Sequence, residues 1–473
     1  MEQVNLPGRI DLHTRSPATE RIEARLGSLP KGARDRLASE AQRQATARGL
    51  TFVRPEGVRD IPLVLSPVAL PSAQLRGLGE AARRVTSALV KVARELIDRR
   101  PERARLLFAH LSPLEKEALA LRSREAEELL IGRVDWFVDG KGGLRALEVN
   151  ATIPAMPVYS DAAVRGWLSA VAPARAEALA ARNGSNAAWI VDGILRAARG
   201  ADRGRPRFPQ DLEVQLLHRA GDPQISELRS LAALLRDRGA QAHTATPDDV
   251  VLDGDPRRVI YRHLFARYVE PGTKLAEAFL DPARHGIWNR VDGWLEVKGL
   301  FAELSLASRE KRSLFTLEEL QALDACVPWT RILDDASDAE LEPRWAELVL
   351  KRSNDYGGKS VVVGRDAGAE SFRTALAAAR RDPVGSWVVQ EFVDSPARER
   401  WLCWRDALDQ PVFAKPVALH LDISTYASLL PGAPLGGSVC RAAPKNVVNI
   451  VTGGGVAPLF SEEVLAEALE EST

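Results

Sequence analysis

Little in this 473-residue chain points to thiol, zinc or membrane chemistry. There are three cysteines. Cys326, Cys403 and Cys440 stand apart in apolar stretches without CxxC or Cys/His spacing, which argues against a zinc cluster or disulfide framework and leaves them as small buried hydrophobes. The seven histidines are scattered, so neither a metal box nor a Ser/His/Asp set emerges; His218 and His263 follow expected strands and read as structural histidines. No apolar run reaches the roughly 20 residues of a membrane span, and the first fifteen residues mix charge and proline without the apolar segment of a secretion signal. A cytoplasmic protein that does not engage a membrane is expected. Charge of neither sign prevails, with 64 basic against 64 acidic side chains and no clustered basic face, so nucleic acid is not an expected partner. Neither GxGxxG nor GxxxxGK[ST] occurs, which removes the dinucleotide fingerprint and the Walker phosphate loop.

What is present is ordinary globular material, 45% hydrophobic and 27% charged, in a chain longer than one hydrophobic core usually serves. Two or three domains around a cleft follow as the expectation, of α+β or α/β class. Residues 1–125 read as a helical N-terminal region, its first 60 residues a peripheral layer. Within it Leu75, Leu78, Ala82, Val85, Leu89, Val92 and Leu96 mark one helix face, with further helices over 101–130. Residues 126–200 hold a β-hairpin, with strands at 134–138 and 144–150 about the turn Asp139-Gly140-Lys141-Gly142-Gly143, and then a helix over 161–182. An Arg/Gly/Pro-rich linker near 199–209 leads to strand, helix, strand alternation over 205–290, the pattern of a small parallel α/β domain. Residues 291–473 carry helices at 296–305 and 317–326, strands at 346–351, 360–363 and 387–392, a β-rich stretch with glycine loops, and a final helix.

Four constellations carry candidate chemistry. In the hairpin, Gly132-Arg133-Val134-Asp135 faces Glu148-Val149-Asn150, and strand alternation turns Glu148 and Asn150 the same way with Asp135 alongside. Two carboxylates and an amide oxygen form the hard donor set that magnesium takes with nucleotide phosphates, and Arg133 offers a bidentate contact to a carboxylate or phosphoryl group. A hairpin with a polar solvent face shows the same alternation. Next, Lys351 ends an apolar strand and is followed by a loop with Gly357-Gly358 and a returning strand, an arrangement that sets an ammonium and loop amides on phosphate. A plain hairpin with a glycine turn fits it too. Then Trp387-Val388-Val389-Gln390-Glu391-Phe392 suits a hinge reading an adenine edge, or an ordinary buried strand. Last, Arg441, Asn449 and Gly453-Gly454-Gly455 form a strand and glycine loop able to approach a ligand, or a flexible tip.

In their order these segments resemble the circularly permuted ATP-grasp enzymes, in particular the synthetase portion of glutathionylspermidine synthase. The resemblance covers roughly residues 125–460 and includes the continuation Glu148-Val149-Asn150-Ala151-Thr152-Ile153-Pro154. It implies a permuted ATP-grasp fold with a Rossmann-like pre-ATP-grasp domain over 205–290. The hairpin would form the first part of the ATP-grasp unit and residues 291–473 its lobes. It also implies ATP and Mg2+ as cofactors, with Asp135, Glu148 and Asn150 on the metal. Lys298 and Lys351 would lie on phosphates with Gly357 and Gly358, Lys311 being an alternative to Lys298, and Gln390 and Glu391 beside adenine. The implied activity is ligation of a small-molecule or peptide carboxylate to an amine through an acyl phosphate, with Arg133 and Arg441 steadying the reacting groups. A phosphotransferase on the same fold, or a nucleotide-binding scaffold without turnover, are the rival expectations. The N-terminal cysteine amidase domain of the bifunctional enzyme has no counterpart here, so its substrates do not carry over.

Overall fold

The computed structural model describes residues 10, 16–121, 131–200, 208–353, 355, 358, 360–383, 386–407, 410–450 and 453–470. Its centre is a six-stranded antiparallel sheet whose members come from distant parts of the chain. In spatial order they are Gly455–Ala457, Ser438–Ala443, Phe413–Ala427, Gly132–Val138 and Leu144–Asn150, with Arg398–Trp404 on the first half of the long strand Phe413–Ala427. The sheet is amphipathic because its strands alternate. Val134, Trp136, Val138, Ala146, Val149, Leu421, Ile423, Cys440 and Ala442 point to one core. On that side lies the helix Ser72–Arg99, which buries Leu78, Ala82, Val85, Leu89, Val92 and Leu96, the face its spacing predicts; Leu75 is only partly covered.

A second antiparallel sheet, in the order Thr330–Ile332, Trp387–Glu391, Leu348–Arg352, Val361–Val363, sits on the helix Ala369–Arg380. Leu348, Leu350 and Val389 pack there on Phe372 and Leu376, which sends Val349 and Lys351 to the opposite face. A third sheet is parallel, in the order Gln241–Ala245, Glu213–His218, Arg258–His263, Ile287–Trp288, with the helix Ile225–Asp237 crossing between the first two strands in sequence. This is the α/β unit that the alternation predicts.

Several expectations need correction. Residues 16–60 are not a peripheral layer: Ala38, Ala41 and Ala45 of the helix Lys31–Ala47 are buried in the main core against the helix Pro157–Val171. A Cβ added at Gly166 would stand 2.6 Å from the backbone nitrogen of Ala45. This stretch also folds a small hairpin, Thr51–Arg54 with Gly57–Asp60. The helix expected over 161–182 is two, Pro157–Val171 and Ala176–Asn183, broken where Pro173 removes a backbone donor. Residues 342–347 form 3₁₀ turns, so the lysine strand begins at Leu348. The helical reading of 122–130 lies outside the described residues. Among the described residues no helix is long and apolar enough to cross a membrane.

Candidate nucleotide site

Between the polar face of the six-stranded sheet and the Val349/Lys351 face of the second sheet lies a cavity of about 220 Å³. Arg133, Asp135, Glu148, Asn150, Lys298, Lys351, Gly358, Gln390, Glu391 and Arg441 all line it. Gly357 lies outside the described residues. The hairpin sets its acids by register: Asp135 pairs with Glu148 and Arg133 with Asn150, with an irregularity after Asp135. Cross-strand partners stand about 5 Å apart at Cβ, so both carboxylates reach one spot.

The two arginines do not stand open in the cavity. Arg133 grips Asp135 with Nε on Oδ1 at 2.7 Å and Nη2 on Oδ2 at 3.0 Å, and its Nη1 donates to the Ala155 carbonyl at 2.9 Å. Arg441 donates from Nε to Asp422 Oδ1 at 2.9 Å, and its Nη2 reaches both Asp422 Oδ2 and, at 2.9 Å, Asp135 Oδ2. Asp135 and Asp422 are 2% and 1% exposed, so charge compensation decides their state. Burial would raise Asp135, but Arg133 and then Arg441 outweigh it and hold the carboxyl down to about 2. At Asp422 burial prevails over Arg441 and pushes the carboxyl up to about 6.

Both lysines are buried. The start of the helix Lys298–Glu310 is tied to Ser353 by Lys298 N to Ser353 O (3.1 Å) and Gly299 N to Ser353 Oγ (2.8 Å). Lys298 thereby comes to the cavity, its Nζ 2.7 Å from the Asp355 carbonyl and 3.4 Å from Glu148 Oε2. Lys311 follows the far end of that helix and pairs with Glu95. Lys351 Nζ donates to Gln390 Oε1 at 2.6 Å. Burial lowers Lys351 to about 8, opposed by Glu148 and reinforced by Lys298. Gln390 is turned inward, its Nε2 on Thr330 Oγ1 (3.1 Å) and the Leu147 carbonyl (3.3 Å), so its side chain braces Lys351. Glu391 is exposed at the rim. Val349, Val363, Phe392 and Val393 supply an apolar wall.

The glycines work differently from the expectation. At Gly454 and Gly455 an added Cβ would stand 2.5 Å from the Asn449 and Pro62 carbonyls, so this run lets the chain approach its own backbone. Gly358 has φ +73°, and an added Cβ would come within 2.6 Å of Val447, where the lysine loop meets residues 446–449 over the cavity. His218 and His263 are register partners in the parallel sheet and do not line the cavity; burial drives His263 below the usual imidazole range.

The donor set suits a magnesium ion that leans on nucleotide phosphates. Among the described residues no group of three His, Cys, Asp or Glu side chains could by itself hold a metal. Asn150 Nδ2 is buried without a hydrogen-bond partner on the cavity wall, and which amide atom faces outward depends on its partner. Asp135 carries three hydrogen bonds from arginines, leaving about one of a carboxylate's four acceptor directions.

Asp422 escaped the sequence reading. The signal was an acid in the apolar alternation Ala418-Leu419-His420-Leu421-Asp422-Ile423, where an uncompensated charge is costly to bury.

No family model and no curated protein matches the sequence. Among solved structures, the apoform of a glutathione synthetase-like effector (GSS30) from Globodera pallida superposes with a TM-score of 0.61. The match covers 95% of this chain and 100% of the other, at 11% identity. At that identity the likeness concerns the fold alone, a mixed α and β architecture that this chain shares with that neighbour.

Proposed function

We propose that this chain is an ATP-dependent carboxylate–amine ligase with a circularly permuted ATP-grasp fold, similar to the synthetase portion of glutathionylspermidine synthase. The observation that carries the reading is convergence: ten residues, taken from a hairpin, a helix start, a lysine strand with its loop, a hinge and a closing strand, line one cavity between two antiparallel sheets. Chance polar faces would not be expected to share a wall. The glutathione synthetase-like name of the structural neighbour points the same way.

On this reading Glu148, Asn150 and the remaining acceptor direction of Asp135 hold magnesium, and Lys298 and Lys351 hold phosphate oxygens. Bound MgATP supplies a phosphoryl group that activates a substrate carboxylate toward an amine. The chain's own part is positioning and charge neutralisation. Gln390 keeps Lys351 aimed into the cavity, and nearby phosphate charge favours the protonated amine that burial alone disfavours. Val349, Val363 and Phe392 exclude water on the side where a purine ring would lie. Arg133 acts through Asp135, which it fixes, while Arg441 is the guanidinium assigned to the reacting carboxylate. The acid is a small molecule or peptide.

The test is thermal stabilisation by MgATP against ATP with EDTA, on wild type, Glu148→Ala and Lys351→Ala. A magnesium-dependent rise that both variants diminish supports the reading. No rise in folded wild type at millimolar ATP sinks it. A subsequent screen of acids with amines separates ligation, which releases ADP and inorganic phosphate, from phosphotransfer, which leaves a phosphorylated product.

A further inference from the structure

Asp422 has no assigned part in the activity proposed above, yet it is buried in the same charge cluster. It stands on the strand Phe413–Ala427 in direct register with Arg441 on Ser438–Ala443, two positions from Ser424, the partner of Asp135. Arg441 Nη2 donates to an oxygen of each acid, so one guanidinium nitrogen lies between two buried carboxylates. With Arg133, the cluster holds two positive and two negative side chains. Two carboxylates at such range do not both stay ionised in a protein interior without a cation between them.

We propose that Asp422 is a positioning residue that anchors Arg441 and thereby sets how readily Asp135 accepts a divalent cation. The inference rests on Asp135, Glu148 and Asn150 being the magnesium ligands. A cation approaching Asp135 meets the Arg441 charge already on its Oδ2. Asp422 holds Arg441 through two nitrogens, and Asp135 holds it through one. The guanidinium can therefore give up Asp135 while keeping a charged partner. Asp422→Asn removes that partner, leaves one excess positive charge among the four side chains and makes Asp135 the one carboxylate still hydrogen-bonded to both arginines. Arg441→Gln does the reverse, and the double variant restores neutrality.

The experiment is a magnesium titration of thermal stabilisation at saturating ATP, with ATP plus EDTA as the metal-free reference. Asp422→Asn is expected to raise the magnesium midpoint about tenfold or more, the scale of one hydrogen bond to a charged group, without weakening metal-free ATP binding. Arg441→Gln is expected to lower the midpoint or leave it, and the double variant to return near wild type, a non-additivity that assigns the effect to the pair. An unchanged midpoint in Asp422→Asn overturns the inference, as does a raised midpoint that persists in the double variant. If Asp422→Asn does not fold, Arg441→Gln decides alone, and a raised midpoint there refutes it. Absence of any MgATP effect in wild type is a different failure, that of the nucleotide reading itself.

Discussion

Replacing Lys351 by Met separates stability from binding, because the structure gives the two effects opposite signs. The ammonium is buried and held by one neutral acceptor, Gln390 Oε1, at 2.6 Å. Its pKa falls from 10.5 to about 8, which corresponds to roughly 3 kcal/mol against the charged form at neutral pH. Methionine keeps most of the aliphatic stem and removes that charge. It leaves Gln390 Oε1 without its donor, at a cost of about 1–3 kcal/mol. The balance for the unliganded protein is therefore about 0–2 kcal/mol in favour of Lys351→Met at pH 7. The folded pKa lies below the unfolded one, so the native state binds fewer protons and wild-type stability rises with pH between about 8 and 10.5. Urea denaturation of both proteins at pH 7 and pH 10 is the assay, with and without MgATP at pH 7. The variant's advantage is expected to shrink at high pH, and its stabilisation by MgATP to vanish. A variant that is 2 kcal/mol or more less stable unliganded at pH 7 would refute the electrostatic argument, and retained stabilisation by MgATP would refute a phosphate role for Lys351.

Three further outcomes follow from particular contacts. Glu227 from the α/β unit accepts from Met156 N at 2.9 Å, beside the start of the helix Pro157–Val171, and burial pushes it up to about 7 against that bond and others from Tyr159 and Val158. Its folded pKa exceeds the unfolded one, so the stability it contributes, roughly 3 kcal/mol, is present below about pH 4.5 and lost as pH rises through 7. Glu227→Gln should flatten that dependence between pH 5 and 8 in chemical denaturation, and an unchanged slope contradicts the assignment. Gly166→Val, with no room beside Ala45, is expected to cost about 3 kcal/mol or more in global stability, which a urea midpoint would read; a loss under 1 kcal/mol means the N-terminal helices are not part of the main core. Gly358→Ala, at φ +73° against Val447, should cost more than about 1 kcal/mol in global stability and weaken MgATP binding by titration calorimetry; unaltered affinity separates this loop from the site.

The parts of this site that alternate locally were legible. Asp135 and Glu148 flank a short Asp-Gly-Lys-Gly-Gly turn, so hairpin register follows from neighbours in sequence. Lys351 ends a run of apolar residues before a glycine loop, which marks a strand with a polar tip. Non-local pairing was not legible. Arg441 meets Asp135 across 306 positions, and nothing in either segment names the other. For the same reason the sequence sets both arginines toward a ligand without showing that Arg133, and the Nε and Nη2 of Arg441, are also held by buried partners. The N-terminal helices misled in another way. Lys31–Ala47 is rich in charge, but its small residues Ala38, Ala41 and Ala45 admit close approach of a neighbouring helix, and alanine carries little hydrophobic signal.

The pairing that was hardest to read is also what makes the site. The strands Phe413–Ala427 and Ser438–Ala443 each carry, on the polar face, a charge that they cannot bury alone, Asp422 and Arg441, and Gly132–Val138 adds the paired Asp135 and Arg133. Brought together they compensate one another, two positive against two negative, while their opposite faces close a continuous apolar core on the helix Ser72–Arg99. One-sided burial fixes the register, because a slip by a single residue would send Asp422 into that core and Ile423 to the cavity. The same constraint that specifies the sheet therefore aligns the carboxylates and guanidinium groups. Their alignment is set by which side of each strand faces the helix.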